Sequence, residues 1–174
     1  LGESCGITIQ ERELSADERK RVRVRRDLHQ INKLASGWFH KNLLTASRGQ
    51  AARDYLDSRG LSRESIERFR LGYALDSWDG LLNYLHGEGV SAEQAVAAGL
   101  ARPRKGRDGC YDLFRDRLII PIEDSRGRVV AFGGRVMPGS EAEARDAPKY
   151  VNSPESAVYQ KSKILYGLPH ARGI

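Results

Sequence analysis

Val24, Leu28, Ile31, Ala35, Trp38 and Phe39 recur at three- and four-residue steps. That spacing puts them on one face of a helix and makes Trp38 and Phe39 core residues. Ser15 stands ahead of the run, with Asp17 and Glu18 in the first turn, where the positive end of the helix dipole favours acids. The spacing predicts a long helix from Ser15 to near Thr45. Shorter apolar groups follow, each behind a capping residue. Ser47 with Gln50 has the form of a capping box, leading into a helix through Tyr55 and Leu56 that stops at Gly60. Ser62 precedes Ile66 and Phe69, with Gly72 as the stop. Ser77 precedes Trp78, Leu81, Leu82 and Leu85, and Ser91 with Gln94 precedes Ala95 to Ala98, closed by Gly99. These capped helices read as scaffold.

From Leu100 onward the pattern becomes short apolar runs bounded by turn residues. Residues 100–104 and 110–113 flank Lys105-Gly106-Arg107-Asp108-Gly109, a hairpin predicted to add strands to a sheet. Residues 118–122 and 129–132 flank a second polar, glycine-containing turn at 123–128. Strands leaving such a turn pair antiparallel, so this hairpin is the expected spine of the sheet. Residues 138–147 form an acidic, alanine-rich loop, expected to be mobile and functionally minor. The fold class is α+β, with a long N-terminal helix and short helices packed on a small, mainly antiparallel sheet.

Composition adds bounds. A chain of 174 residues suffices for one domain with a modest core. It opens on Leu1 rather than methionine and stops at Ile174 within an apolar run, which reads as a piece of a longer protein. Twenty-nine Lys and Arg against 23 Asp and Glu leave +6, a mild bias towards polyanions. No apolar run approaches the ~20 residues of a membrane span, and no signal-peptide pattern is present. Cys5 and Cys110 form no CxxC pair, which points to reduced thiols in a cytoplasmic protein. His29, His40, His86 and His170 are scattered without metal-ligand spacing or a nucleophile partner.

The candidate chemistry begins where the second hairpin strand runs into Gly133-Gly134-Arg135. Glycines let backbone approach another chain or a ligand closely, and the arginine adds a planar, permanent charge. Lys149, Tyr150, Asn152 and Lys161 supply two more cations, an aromatic face and an amide, a set suited to a phosphate backbone with stacked bases. Plain structural readings stand beside these: Tyr150 as a sheet residue, Asn152 with Ser153-Pro154 as a turn. Arg115 and Arg117 alternate with apolar neighbours, giving either a basic strand face or local ion pairs with Asp112 and Asp116. The basic run 19–26 reads as a solvated helix face.

FGGRV, then PKYVNSPES, then YQKSKILYGL, in that order and spacing, resembles the bacterial replicative DNA primases of the DnaG type, which lay RNA primers on single-stranded templates. RGLSRESIERFRLGYA, SWDGLLNYL and YDLFRDRLIIPI fit the same family, so the likeness runs from about Leu28 to the C-terminus. It implies that residues 15–174 are the N-terminal subdomain of the catalytic core and residues 1–14 the tail of a linker behind a zinc-binding domain. It also implies nucleic-acid or nucleotide contacts at Arg59, Arg115, Arg117, Arg135, Lys149, Tyr150, Asn152 and Lys161. For Arg59, bonding the last carbonyls of its own helix is an equal alternative.

The implied partners are single-stranded DNA template, ribonucleoside triphosphates, and a replicative helicase met through a region outside this chain. Primer synthesis is phosphoryl transfer, served by Mg2+ or Mn2+ on clustered carboxylates. No E-G-x-x-D followed by D-x-D occurs here. The metal-binding TOPRIM subdomain and the zinc site are therefore expected outside the chain, with no cofactor or catalytic residue within it and no activity from it alone. The competing functions are a non-catalytic single-strand-binding or docking module, and the primase part of a phage or plasmid primase–helicase.

Overall fold

The computed structural model describes residues 14–144 and 147–167. Helix α1 spans Ala16–Thr45. Ser15 Oγ accepts from the Glu18 amide at 3.2 Å, and the Glu18 carboxylate accepts from the Ser15 amide at 2.8 Å, a complete capping box. Leu28, Ile31, Ala35 and Phe39 are buried as the periodicity predicts. Trp38 is half-buried, stacked on Tyr84 at 6.1 Å between ring centres. Val24 departs from the expected stripe and is 42% exposed, because the first turns of α1 extend past the elements that bury the rest.

Helices α2 (Gln50–Ser58) and α3 (Arg63–Arg68) follow, then strand β1 (Gly72–Ala74), α4 (Gly80–Gly87) and α5 (Ala92–Ala97). Strands β2 (Ala101–Pro103), β3 (Cys110–Asp112), β4 (Arg117–Glu123) and β5 (Val129–Val136) come next, then α6 (Glu141–Ala144) and β6 (Tyr150–Asn152). The antiparallel order β1-β4-β5-β6 makes a four-stranded sheet with the predicted hairpin at its centre.

Adjacent β4 residues point to opposite faces, and each face has its own core. Ile119 joins Phe132, Phe114, the α1 residues Leu28 to Phe39, and Leu81, Leu85 and Ala95 of α4 and α5. Leu118 joins Leu43, Leu56, Ile66 and Tyr73 beneath α2 and α3. Phe39 meets Phe132 edge-on at 5.4 Å, where α1 crosses the sheet. Gly72 permits that crossing, since a Cβ there would lie 2.6 Å from the Phe39 Cβ. The β4–β5 register slips at Ile122/Glu123, so Val129 packs on the first core while Val130 and Ala131 both meet Tyr159.

Several boundaries differ from the sequence reading. The box at Ser47 and Gln50 does not form: a 3-10 turn, Ser47–Gly49, leads into α2, and the Gln50 amide bonds Asp54 and Arg53 instead. Gly72 is a strand residue rather than a helix stop; α3 ends at Arg68, and the chain turns at Arg70 with φ of 48°. Ser77 does not cap α4, whose Leu81 and Leu82 amides donate to the Asp112 carboxylate at 2.8 and 3.1 Å. The β2–β3 hairpin stays apart as a two-stranded sheet, packed on α4 and α5 rather than on the main sheet. Residues 141–144 form helix α6 inside the predicted loop. Cys5, the linker 1–14 apart from Leu14, and His170 lie outside the described residues. Among the described residues no helix is long and apolar enough to cross a membrane.

Candidate nucleic-acid interface

Asp112 organises one end of the molecule. Its amide donates to the Trp78 carbonyl at 2.8 Å while its carboxylate holds the first amides of α4. This fixes the 75–79 loop against β3 and brings Trp78 beside Tyr111, ring centres 5.8 Å apart. Asp112 is buried, and burial pushes its carboxyl up to about 6 although the two amides favour the charged form. The in-register pairing of Arg102 with Tyr111 turns both to one face of the small sheet. Arg115 lies 3.7 Å above the Trp78 ring, and Arg104 approaches Trp78 and Tyr111 at 5.6 and 5.8 Å. Trp78 nevertheless remains 57% exposed. A large ring held in a turn beside cations is shaped for contact rather than for core packing.

Trp78, Tyr111, Arg102, Arg115 and Arg117 line a cavity of about 520 Å³, which Tyr150 closes from the far side. Tyr150 is 58% exposed and pairs across the sheet with Arg135. Its placement depends on Arg117, whose Nη1 donates to the Pro148 carbonyl at 2.8 Å and the Gly134 carbonyl at 3.3 Å. Arg117 is only 6% exposed. The side chain ties the segment bearing Lys149 and Tyr150 to β5, which leaves little of it to form a basic contact face. Burial, then Arg115 nearby, pulls its pKa down from the ordinary arginine value. Local ion pairs with the aspartates do not form either. Asp112 serves α4, and Asp116 accepts from the Tyr73 hydroxyl at 2.7 Å, a bond that with burial raises the tyrosine pKa.

The remaining candidates fall into three places. Arg59 and Arg135 rim a second, apolar-floored cavity of about 350 Å³, with Arg135 4.8 Å from the Tyr55 ring. The Arg59 backbone amide closes α2 on Tyr55 and Leu56 carbonyls, while its side chain borders this cavity. Asn152 pairs with Gly133, and its Oδ1 would lie 3.2 Å from a Cβ there. Lys149 is exposed at the entry to β6, its carbonyl accepting from Val136. Lys161 stands apart in a 3-10 turn, two residues past Tyr159, which packs on Val130 at the other end of β5. It does not join the cavity with Tyr150.

Trp78, Tyr111, Arg102 and Arg104 were missed from the sequence. Trp78, Leu81, Leu82 and Leu85 are spaced as a helical stripe, which hid the tryptophan's exposure. The signal against it was local: Ser77-Trp78-Asp79-Gly80 is turn chemistry around a lone aromatic. Among the described residues no three His, Cys, Asp or Glu side chains group as a metal ion requires.

A model of the DNA primase catalytic core, N-terminal domain, matches residues 38–172. The DNA primase of Deinococcus radiodurans is 44% identical over 174 residues, covering 99% of this chain and 27% of that protein. The Halalkalibacterium halodurans DNA primase is 42% identical over 142 residues, 82% of this chain and 23% of that protein. A DnaG primase catalytic domain solved with single-stranded DNA superposes with a TM-score of 0.78 at 36% identity, over 87% of this chain and 45% of that one. The chain thus spans about a quarter of the length of its curated relatives. With the fold, the central hairpin and the matched residues in agreement, the chain belongs to the family of DNA primase catalytic-core N-terminal domains.

Proposed function

We propose that the chain forms one wall of a primase groove that holds single-stranded DNA template while ribonucleoside triphosphates are joined on it. The carrying observation is the cavity where the exposed Trp78 and Tyr150 rings and the half-buried Tyr111 ring stand among Arg102, Arg115 and Arg104. Unpaired bases offer π-faces to such rings, and the phosphates between them take the guanidinium groups. That a related catalytic domain was solved with single-stranded DNA supports the reading. The relatives reported above are DNA primases, which favours it over a bare strand-binding module.

Within this reading Lys149 meets a phosphate as a point charge, and Arg135 with Arg59 offers planar charges towards the incoming triphosphate. Arg117 holds the Lys149–Tyr150 segment in place and touches no strand. The described residues do not fit a catalytic metal: Asp112 and Asp116 are engaged by α4 and Tyr73, and no three candidate ligands converge. No transfer step is assigned to them. Mg2+ or Mn2+, the upstream zinc and the helicase contact belong, on this reading, to other parts of a cytoplasmic primase.

Anisotropy of a labelled 16-nucleotide DNA strand tests the reading. Each stacked base contributes about 1–3 kcal/mol, so Trp78→Ala and Tyr150→Ala should each weaken binding several-fold or more, with little change in melting temperature. Arg63→Ala, on the outer face of α3 and paired with Glu67, should bind as the unsubstituted chain. Unchanged binding in both aromatic variants would overturn the proposal.

A further inference from the structure

A larger cavity lies elsewhere, between the exposed start of α1 and the β4–β5 turn, and holds about 1100 Å³. Arg25, Arg26 and Lys33 line it from the helix, Arg126 and Arg128 from the turn, and Arg70 from the bend before β1. Its two acids are Glu123 and Asp124. Asp124 is committed to the turn. One oxygen accepts from the Arg126 and Arg128 amides at 2.9 and 3.0 Å, the other binds the Arg128 guanidinium at 2.7 Å. Arg25, Lys33, Arg70 and Arg126 have no ion-pair partner among the described residues. His29 sits among these charges, its pKa lowered by burial and then by Arg128. Arg19, Lys20, Arg21 and Arg23 continue the positive charge along the exposed first turns of α1.

The groove differs in kind from the cavity at Trp78. Among the described residues no Phe, Tyr or Trp ring lines it, and its one imidazole, His29, is half-buried, so it offers little on which to stack an unpaired base. Its apolar lining is Val22 and Val129, too little to seat the apolar face of a peptide helix. Arginines predominate, and their planar forks fit phosphate oxygens. A duplex, with its bases stacked on one another and its phosphates outward, is the nucleic acid such a surface can hold. The two sites lie on one strand. Val129 borders the groove and Arg135 pairs with Tyr150 of the other cavity, six residues apart, or about 20 Å at ~3.3 Å per residue.

We propose that this groove is a second, separate site that grips the phosphate backbone of a base-paired nucleic acid while the aromatic cavity holds an unpaired strand. The paired ligand is either the RNA–DNA hybrid made by primer synthesis or duplex DNA flanking the template. The site stands on its own charges and does not depend on the aromatic cavity binding its strand.

The test uses the triple variant Arg25→Ala, Lys33→Ala, Arg126→Ala and, separately, Trp78→Ala, each checked for an unchanged melting temperature. The probes are a labelled 14-base-pair DNA duplex, an RNA–DNA hybrid of the same sequence, the single strand, and a glutamate-rich peptide. The triple variant should lose at least tenfold in duplex affinity at moderate salt. Its slope of log K against log salt should flatten by about 2 to 3, at ~0.9 per duplex phosphate contact. Its single-strand binding should stay within about twofold, while Trp78→Ala should show the converse. Tighter binding of the hybrid supports the product as ligand; equal binding of both duplexes supports flanking DNA. An unaffected duplex affinity, equal losses on single and paired strands, or a peptide bound as tightly as the duplex would each overturn the proposal.

Discussion

Arg117 and Lys149 show how differently two cations near one strand can serve it. Arg117 is inside, donating to the Gly134 and Pro148 carbonyls; Lys149 is outside, at the start of the strand those bonds secure. Arg117→Met keeps the volume and removes both donors, so it should cost about 2–3 kcal/mol, read as a lowered melting temperature with weakened strand binding. Lys149→Ala should leave the melting temperature alone and flatten the single-strand salt slope by about 0.7, one phosphate contact. The same slope in Arg63→Ala should be unchanged, and a Lys149 variant that altered sequence preference instead would move the lysine from phosphate to base. Sequence disclosed the types of these residues and their clustering after Gly133 and Gly134. It could not disclose burial, because Arg115 and Arg117 alternate with apolar neighbours alike and only tertiary packing separates Arg117 from Arg115, which lies open over Trp78.

Among the elements, α1 was legible almost to the residue because its cap and its period are both local. The start of α4 was not, because the group holding its amides is Asp112, on a strand 31 residues downstream. Strand β1 was hidden for another reason: three residues give no period, and their role follows from Gly72 lying under Phe39. Gly72→Ala should destabilise by about 1–3 kcal/mol, since the new methyl would meet the Phe39 Cβ at 2.6 Å and its carbonyl carbon at 2.8 Å, neither free to move. The cap at α4 has a pH signature. The Asp112 carboxyl is raised from an ordinary 3.8 to about 6, so its contribution to stability is fully present below about pH 4 and is lost as pH rises through about 6. Asp112→Asn no longer titrates and keeps an acceptor for one amide. The stability of the unsubstituted chain relative to Asp112→Asn should fall by at most about 3 kcal/mol between pH 4 and 6.5, then level off. Melting curves of both proteins at half-unit steps would show it, and a constant difference would refute the buried charge.

At the scale of the whole molecule, two cores share one sheet, and α1 contributes Leu28 to Phe39 to the first and Leu43 to the second. Neither core can be lost without exposing the central hairpin from which both take side chains: Leu118 and Ile119 are neighbours on β4. Such coupling should make unfolding a single transition, coincident by far-ultraviolet circular dichroism and by tryptophan fluorescence, since Trp38 packs on the first core while the helices seen by circular dichroism cover both. The cationic and aromatic surfaces lie on this framework, so strand binding should survive in the purified chain. Nucleotide transfer should not, because Asp112, Asp116 and Asp124 are spent on α4, on Tyr73 and on the β4–β5 turn, and among the described residues no three candidate ligands gather for metal. Incubated with template, ribonucleoside triphosphates and either Mg2+ or Mn2+, the chain should bind template and yield no primer. Primer from the purified chain would require a carboxylate cluster that the described residues do not contain, and would overturn the proposal that this chain grips the strand without joining nucleotides.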